Sequence, residues 1–343
     1  MTFDPDPNRV IPTVIAGAVN ALKAAFAEPS VKRFVYTSSS TAAMLPKLNV
    51  PGIVVTENTW NDEAVKLAWS STTYSAEQAS LTYAASKTQA EQEVWKFYNE
   101  NKHKRPDLVV NTDCNFGKSL DVVNQGHPST SGFIVFLWQN QNLEILKQFE
   151  PRHFVDVQDT GILHVAAAVH PNVKDERIFG FAETFNWDKV LDILRKQNPG
   201  VKFIANFQSD QDLSEIKPKA RAEQLLRDLG RPGWTSLEDG ILMNTEDLRQ
   251  GNVGWSPMAG NLAMSLDDIR VLQLVHLNER TNEGSRCNRP VKCRQCTTPY
   301  LRNAGRNRLV LSTLNPLALI SADPGCWICG NLNGDSQIPL RNS

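Results

Sequence analysis

The chain has 343 residues, 41% of them hydrophobic and 21% charged, so it is long enough to bury the core of one large domain or two ordinary ones. Its 36 basic and 37 acidic residues leave a net charge of −1, which excludes a generally basic nucleic-acid binder and a polyacidic protein. The start lacks a signal-peptide pattern, and we find no apolar stretch of the about 18 residues that crosses a bilayer. We therefore expect a cytoplasmic protein with neither a membrane nor a nucleic-acid partner.

Helix and strand patterns alternate through the first 248 residues. Helical spacing of apolar residues predicts helices over residues 10–26, 76–99, 160–169, 187–197 and 219–229. Short runs of apolar and β-branched residues predict strands over residues 31–37, 108–112, 153–157, 177–181 and 201–207. This alternation indicates an α/β fold with a mostly parallel sheet covered on both faces.

Residues 249–343 differ in composition from the first part of the chain. They are rich in Asn, Arg, Gly and Pro and show no sustained period, apart from one amphipathic helix predicted over residues 266–277. Because such a segment has little apolar surface to bury, we expect it to be a poorly ordered C-terminal tail.

Two groups of residues in the first part of the chain are suited to chemistry. Tyr83 and Lys87 are four residues apart in a predicted helix, so they share one face of it. A nearby ammonium lowers the pKa of a phenol, which suits tyrosine to general acid–base catalysis. The segment 37–40, Thr-Ser-Ser-Ser, ends a predicted strand, where side chains face the ligand crevice of parallel sheets. Taken singly, these residues fit an exposed Tyr–Lys pair and a serine-rich loop equally well.

The chain has a strand, a serine cluster, a long helix with Tyr and Lys, and a further strand, in that order. This order resembles the extended branch of the short-chain dehydrogenase/reductase superfamily, also called the NAD-dependent epimerase/dehydratase superfamily. The likeness is greatest to its dihydroflavonol, cinnamoyl-CoA and fungal aldehyde or ketone reductases. The segments that carry the resemblance are residues 4–7, 31–39, 57–61, 83–91, 154–159 and 229–239. It covers about residues 1–248.

The resemblance implies a role for each matching residue. Ser39 would bind the substrate carbonyl, with Ser40 in its place if the register differs by one residue. Tyr83 would donate a proton to the carbonyl oxygen, and Lys87 would lower the tyrosine pKa and bind the nicotinamide ribose. The loop over substrate and cofactor would contribute the substrate-binding residues Asn124, Pro128 and Ser129. The implied cofactor is NADP or NAD, the implied substrate a small molecule with a carbonyl group, and the implied setting secondary metabolism.

Glycine is scarce where the family uses it most. Only Gly17 and Gly52 fall within the first 116 residues, and no G-x-G occurs in the chain. Family members have a glycine-rich turn and further βα units ahead of the segment that matches residues 4–7. We therefore expect an incomplete doubly wound, Rossmann-type sheet that lacks its first βαβ units, with a small substrate-binding subdomain. This leaves open a second hypothesis, a catalytically incompetent truncated relative or gene-model fragment.

Two Cys-x-x-Cys pairs lie in the tail, and four thiolates in such pairs can bind zinc tetrahedrally. The pairs are formed by Cys293, Cys296, Cys326 and Cys329. Their separation exceeds the spacing common in zinc sites, and they equally fit cysteines without a shared role. We assign no metal ligand, and a zinc-organised interaction module stays a third hypothesis.

Overall fold

The structure, a computed structural model, describes residues 4–70, 75–101, 107–113, 115–251 and 308–313. The helices are α1 Pro7–Ala27, α2 Asp62–Ser70, α3 Ala76–Asn101, α4 Val122–Gln125, α5 Ser131–Gln139, α6 Leu143–Gln148, α7 Val157–Val169, α8 Trp187–Gln197, α9 Lys219–Asp228, α10 Leu237–Asn244 and α11 Glu246–Arg249. The strands are β1 Val31–Thr37, β2 Val54–Val55, β3 Asp107–Asp113, β4 Asn115–Phe116, β5 Arg152–Asp156, β6 Glu176–Gly180, β7 Glu183–Phe185, β8 Glu215–Ile216 and β9 Arg308–Thr313.

The main sheet has four strands in the order β6-β3-β1-β9, and every neighbouring pair is parallel. Successive residues of β1 face opposite sides of this sheet. Phe34 and Tyr36 pack with α1 and α3, whereas Val35 packs with α7 and α9. Helices therefore cover both faces, and the predicted α/β fold with a parallel sheet is confirmed.

Strand β9 comes from the tail that we expect to be poorly ordered. It lies parallel to β1 from Val31 to Thr37, on the side opposite β3. Its Leu-Val-Leu run lies in the strand that pairs with the second edge of β1. The predicted helix 266–277 and the four paired cysteines lie outside the described residues.

A second core lies beside the main sheet. The small sheet β4-β5-β7 packs with α5, α8 and α10 around Phe116, Phe154, Phe185 and Trp187. Within it, the indole nitrogen of Trp187 donates to the carbonyl oxygen of Leu146, 2.7 Å away. That this unit is the small substrate-binding subdomain expected from the sequence stays a prediction.

The predicted strand 201–207 is wrong. Residues 202–210 form no ladder, although Phe203 and Phe207 pack against the second core. Backbone polar groups of this segment form hydrogen bonds with side chains: Arg195 donates to the carbonyl oxygen of Ile204, and Asp188 accepts from the amide of Phe207. An apolar extended segment held in this way has the same sequence pattern as a strand.

The expectation that no segment is long and apolar enough to cross a membrane also needs correction. By length and composition alone, α1 passes that test among the described helices. The core helix of a soluble protein passes it too, which makes the observation weak. In this structure Ile11 packs with Ala85 of α3, and Leu22 packs with Phe34 of β1.

Candidate active site

Ser39 lies two residues after the end of β1 and directly before a short 3-10 turn, Ser40–Ala42. Its extended backbone and side-chain oxygen cap this turn, because Ser39 Oγ accepts from the Thr41 amide at 3.3 Å and from Thr41 Oγ1 at 3.0 Å. The Ser39 side chain is buried, with 7% of the residue exposed. The sequence thus places this hydroxyl at the carboxyl end of a parallel strand and holds it still.

Helix α3 brings Tyr83 to that hydroxyl. The Tyr83 hydroxyl donates to Ser39 Oγ across 3.4 Å. One turn along, Lys87 Nζ lies 5.7 Å from the centroid of the Tyr83 ring, a distance at which cation and ring attract each other. Lys87 is only 3% exposed, so its charge acts in a poorly hydrated environment. The structure therefore brings Ser39, Tyr83 and Lys87 together, as the spacing and the resemblance predict.

Ser40, the alternative to Ser39, begins the 3-10 turn. It lines a small cavity with Met44, His153, Phe181 and Asp212. The hydroxyl that lies at Tyr83 is that of Ser39, so the contacts favour the first of the two registers.

Two of the predicted substrate-binding residues, Pro128 and Ser129, lie on an exposed loop, and the third, Asn124, is exposed in the short helix α4. Asn124 donates to the Asp121 carboxylate, the Pro128 carbonyl oxygen accepts from Ser131, and Ser129 has a φ of +56°. These contacts are local, so the described part of the chain does not join the three residues to Ser39. Their role in substrate binding stays a prediction.

A buried network beside the site has no counterpart among the predicted roles. Ser38 Oγ donates to Glu91 Oε2 at 2.5 Å, and Arg177 Nε donates to Glu91 Oε1 at 2.6 Å. Glu91 follows Tyr83 by eight residues and Lys87 by four, so the same helical spacing that links the first two residues could have pointed to it. Arg177, on β6, has no such signal in the sequence.

A second tyrosine lies near the site, but its environment keeps it neutral. Tyr36 on β1 is fully buried, and its hydroxyl has no hydrogen-bond partner among the residues that the structure describes. Burial foremost, and then the charges of Glu91 and Tyr83, raise the pKa of Tyr36 well above its usual range. Tyr36 is therefore not suited to exchange a proton near neutral pH.

The N-terminus of α7 holds a buried carboxylate. Asp156 Oδ1 accepts from the Gln158 amide at 2.8 Å and caps the helix, whereas Oδ2 is buried and has no hydrogen-bond partner within the described part of the chain. Burial foremost, together with repulsion from Asp159, raises the pKa of Asp156 to about 6. Gly117 lies against Oδ2 with a φ of +123°.

Among the described residues, no group of three or more His, Cys, Asp or Glu side chains is placed to hold a metal ion.

Known proteins with a similar sequence or fold show which family this chain belongs to. A scan against models of protein families finds no match. Aldehyde reductase 2 of Sporidiobolus salmonicolor is 38% identical over 242 residues, which cover 70% of each chain. The chain belongs to the extended short-chain dehydrogenase/reductase family. As a member it is an oxidoreductase of the NAD(P)-dependent type.

NAD-dependent epimerase/dehydratase terH of Aspergillus terreus is 33% identical over 247 residues, 71% of each chain. Yeast methylglyoxal/isovaleraldehyde reductase Gre2, solved with NADPH, shares the fold at a TM-score of 0.57 and 19% identity, over 74% of each chain.

Proposed function

We propose that this protein reduces the aldehyde or ketone group of a small organic substrate with NADPH or NADH. The observation that carries the proposal is the 3.4 Å approach of the Tyr83 hydroxyl to Ser39, with the buried Lys87 one turn along α3. Its general support is membership of a family of NAD(P)-dependent reductases. A role in secondary metabolism is a further part of the proposal and rests on the likeness to fungal members.

The two hydroxyls can act on one carbonyl oxygen. In its present contacts Ser39 Oγ accepts from Thr41 and Tyr83, so its own proton is free to point at a substrate. Tyr83 can redirect its O–H to the same oxygen. Two fixed donors stabilise the negative charge that grows on a carbonyl oxygen during reduction, and they do so most effectively in a buried site.

Tyr83 is the proton donor in this scheme, and Lys87 supports it. As the carbonyl oxygen gains charge, the Tyr83 proton moves to it and leaves a phenolate. A cation near the ring stabilises that phenolate, and the buried Lys87 ammonium is held at that position. In this scheme Tyr83 supplies the proton, and no solvent-exposed acidic side chain is required.

The residues present fit the nicotinamide end of a cofactor. A buried ammonium with three donors, 5.7 Å from the centroid of a tyrosine ring, suits a ribose diol, so Lys87 and Tyr83 would hold the nicotinamide ribose. When bound, the cofactor supplies the hydride that the carbonyl carbon accepts. Glycine is scarce before residue 117, and the residues named here account for the nicotinamide end of the cofactor only.

That scarcity also favours a second candidate function. The family binds its cofactor phosphates on a glycine-rich turn, so a chain with only Gly17 and Gly52 in this region could fold as a relative without turnover. Titration of the purified chain with NADPH, followed by cofactor fluorescence, separates the two candidates. Binding supports the reductase, and absence of binding supports the incompetent relative.

Isotope transfer tests the reaction itself. The purified chain is incubated with NADPH deuterated at both C4 positions and with a panel of aldehydes and ketones, and the alcohols are analysed by mass spectrometry. The proposal predicts one deuterium on the former carbonyl carbon of at least one product of the wild type, and a yield of that product about a hundredfold or more lower from Tyr83→Phe. Unlabelled or absent alcohols across the panel would contradict it.

A further inference from the structure

Buried hydrogen bonds hold the end of β1, the strand that leads into the active-site residue Ser39. We propose that Ser38, through Glu91, is a positioning residue that fixes the Ser39 hydroxyl opposite Tyr83. The catalytic meaning of this inference rests on the proposed reductase function. The positioning itself is a property of the structure and can be measured without turnover.

The link between Ser38 and Glu91 is buried and short. Ser38 is 5% exposed, Glu91 is fully buried, and their oxygens are 2.5 Å apart. A hydroxyl that donates to a carboxylate in such surroundings forms one of the stronger hydrogen bonds in proteins. The bond joins the residue before Ser39 to the helix that carries Tyr83.

Arg177 keeps the Glu91 carboxylate in place. Its Nε donates to Glu91, and its Nη1 donates to the carbonyl oxygens of Glu57 and Thr59 at 2.7 and 2.8 Å. The guanidinium also lies 4.0 Å from the centroid of the Trp60 ring. With its partner held by two backbone carbonyls and an aromatic face, Glu91 has little freedom to rotate. Ser38 therefore donates to a carboxylate that Arg177 holds in one orientation.

A second contact holds the strand end from the opposite face of the sheet. Thr37 Oγ1 and His164 Nε2 of α7 are 2.8 Å apart, and His164 Nδ1 lies 2.8 Å from the carbonyl oxygen of Thr160. Because a carbonyl only accepts, Nδ1 carries a proton; in the neutral ring Nε2 is then the acceptor for the Thr37 hydroxyl. Thr37 and Ser38 therefore tie the strand end to α7 and α3, and the rigid peptide bond passes this constraint to Ser39.

A buried ion pair could also serve stability alone, and Ser38→Ala separates the two roles. This variant removes the hydroxyl and leaves Glu91 paired with Arg177. The chain offers a matched control in Ser214, a buried serine that donates to Asp212 at 2.7 Å. Asp212 in turn pairs with His153, so Ser214→Ala removes the same kind of bond from the same kind of buried pair.

The first readout is steady-state kinetics of the full chain. We expect Ser38→Ala to lower kcat about tenfold with an unchanged KM for NADPH, because a small misplacement of a reacting group costs rate rather than cofactor affinity. Ser214→Ala should keep the wild-type kcat. Both variants should show comparable small losses in Tm, which a purely structural role would produce without the loss in kcat.

The second readout is the pH midpoint at which the Tyr83 phenol ionises. It is obtained from the ultraviolet difference spectrum between each variant and its Tyr83→Phe partner, without cofactor. We expect Ser38→Ala to shift this midpoint and Ser214→Ala to leave it unchanged. The inference is overturned if Ser38→Ala leaves both kcat and the midpoint at wild-type values. If the wild type has no turnover, the reductase function fails, and the midpoint alone decides the positioning role.

Discussion

The hydroxyl oxygens of Tyr83 and Ser39 lie 3.4 Å apart, although 44 residues of chain separate them. Ser39 is delivered by the end of β1 and Tyr83 by the middle of α3, and the two elements share a buried core through Phe34 and Val94. The pair is therefore a product of packing between a strand and a helix. A carbonyl oxygen placed between these hydroxyls would be in reach of both, which is the basis of the reductase proposal.

Lys87→Met should impair both turnover and cofactor binding. The buried ammonium near the Tyr83 ring is proposed to stabilise the phenolate and to hold the nicotinamide ribose. We expect kcat to fall by about a hundredfold and the KM for NADPH to rise, as measured by steady-state kinetics. Lys96→Met is the control, because Lys96 lies on the same helix but is exposed and paired with Glu93. A Lys87→Met enzyme with wild-type constants would remove Lys87 from the site.

Gly117→Ala should destabilise the protein. The backbone of Gly117 has a φ of +123°, and a methyl group there would collide with the Asp156 carboxylate. We expect a loss of about 1–3 kcal/mol in the free energy of unfolding, measured in urea. Gly200→Ala is the matched control, since open space surrounds Gly200. Equal stability of the two variants would show that the close approach of Gly117 to Asp156 does not exist in solution.

Asp156 should make the protein less stable as pH rises. Its pKa is about 6 in the folded protein and 3.8 as the ordinary value, so between these values the unfolded chain loses this proton while the folded chain keeps it. The contribution is fully present below pH 3.8, declines through this window and is lost above about pH 6.

Asp156→Asn tests that dependence. Asparagine caps a helix as well as aspartate does but does not titrate. We expect the variant to be more stable than the wild type at pH 7 by about 1–3 kcal/mol, with the difference shrinking towards pH 4. Urea unfolding across this pH range measures it. Parallel curves for the two proteins would mean that Asp156 ionises normally in the fold.

Long regular elements were open to prediction from the sequence. The apolar periodicity of α1 and α8 and the β-branched run of β1 reproduce the observed elements closely, because each buries one continuous surface. The strand predicted over residues 201–207 failed for a physical reason. Its apolar side chains do pack, but the backbone is satisfied by Arg195 and Asp188 instead of a neighbouring strand.

The candidate site was predictable where its residues are close in sequence or match a family pattern. Tyr83 and Lys87 follow from helical spacing, and Ser39 follows from the resemblance. Glu91 and Arg177 could not be paired in advance, because they are 86 positions apart in the sequence and only the tertiary fold brings them together. Partners chosen by tertiary packing leave no period in the sequence.

Turnover of Tyr83→Phe tests the central claim most directly. The phenylalanine keeps the ring beside Lys87 and removes only the proton that the carbonyl oxygen is proposed to receive. We expect kcat with NADPH and a substrate of the wild type to fall by about 10²–10⁴-fold, while the Kd for NADPH stays near the wild-type value. A Tyr83→Phe protein that turns over at the wild-type rate would contradict the account.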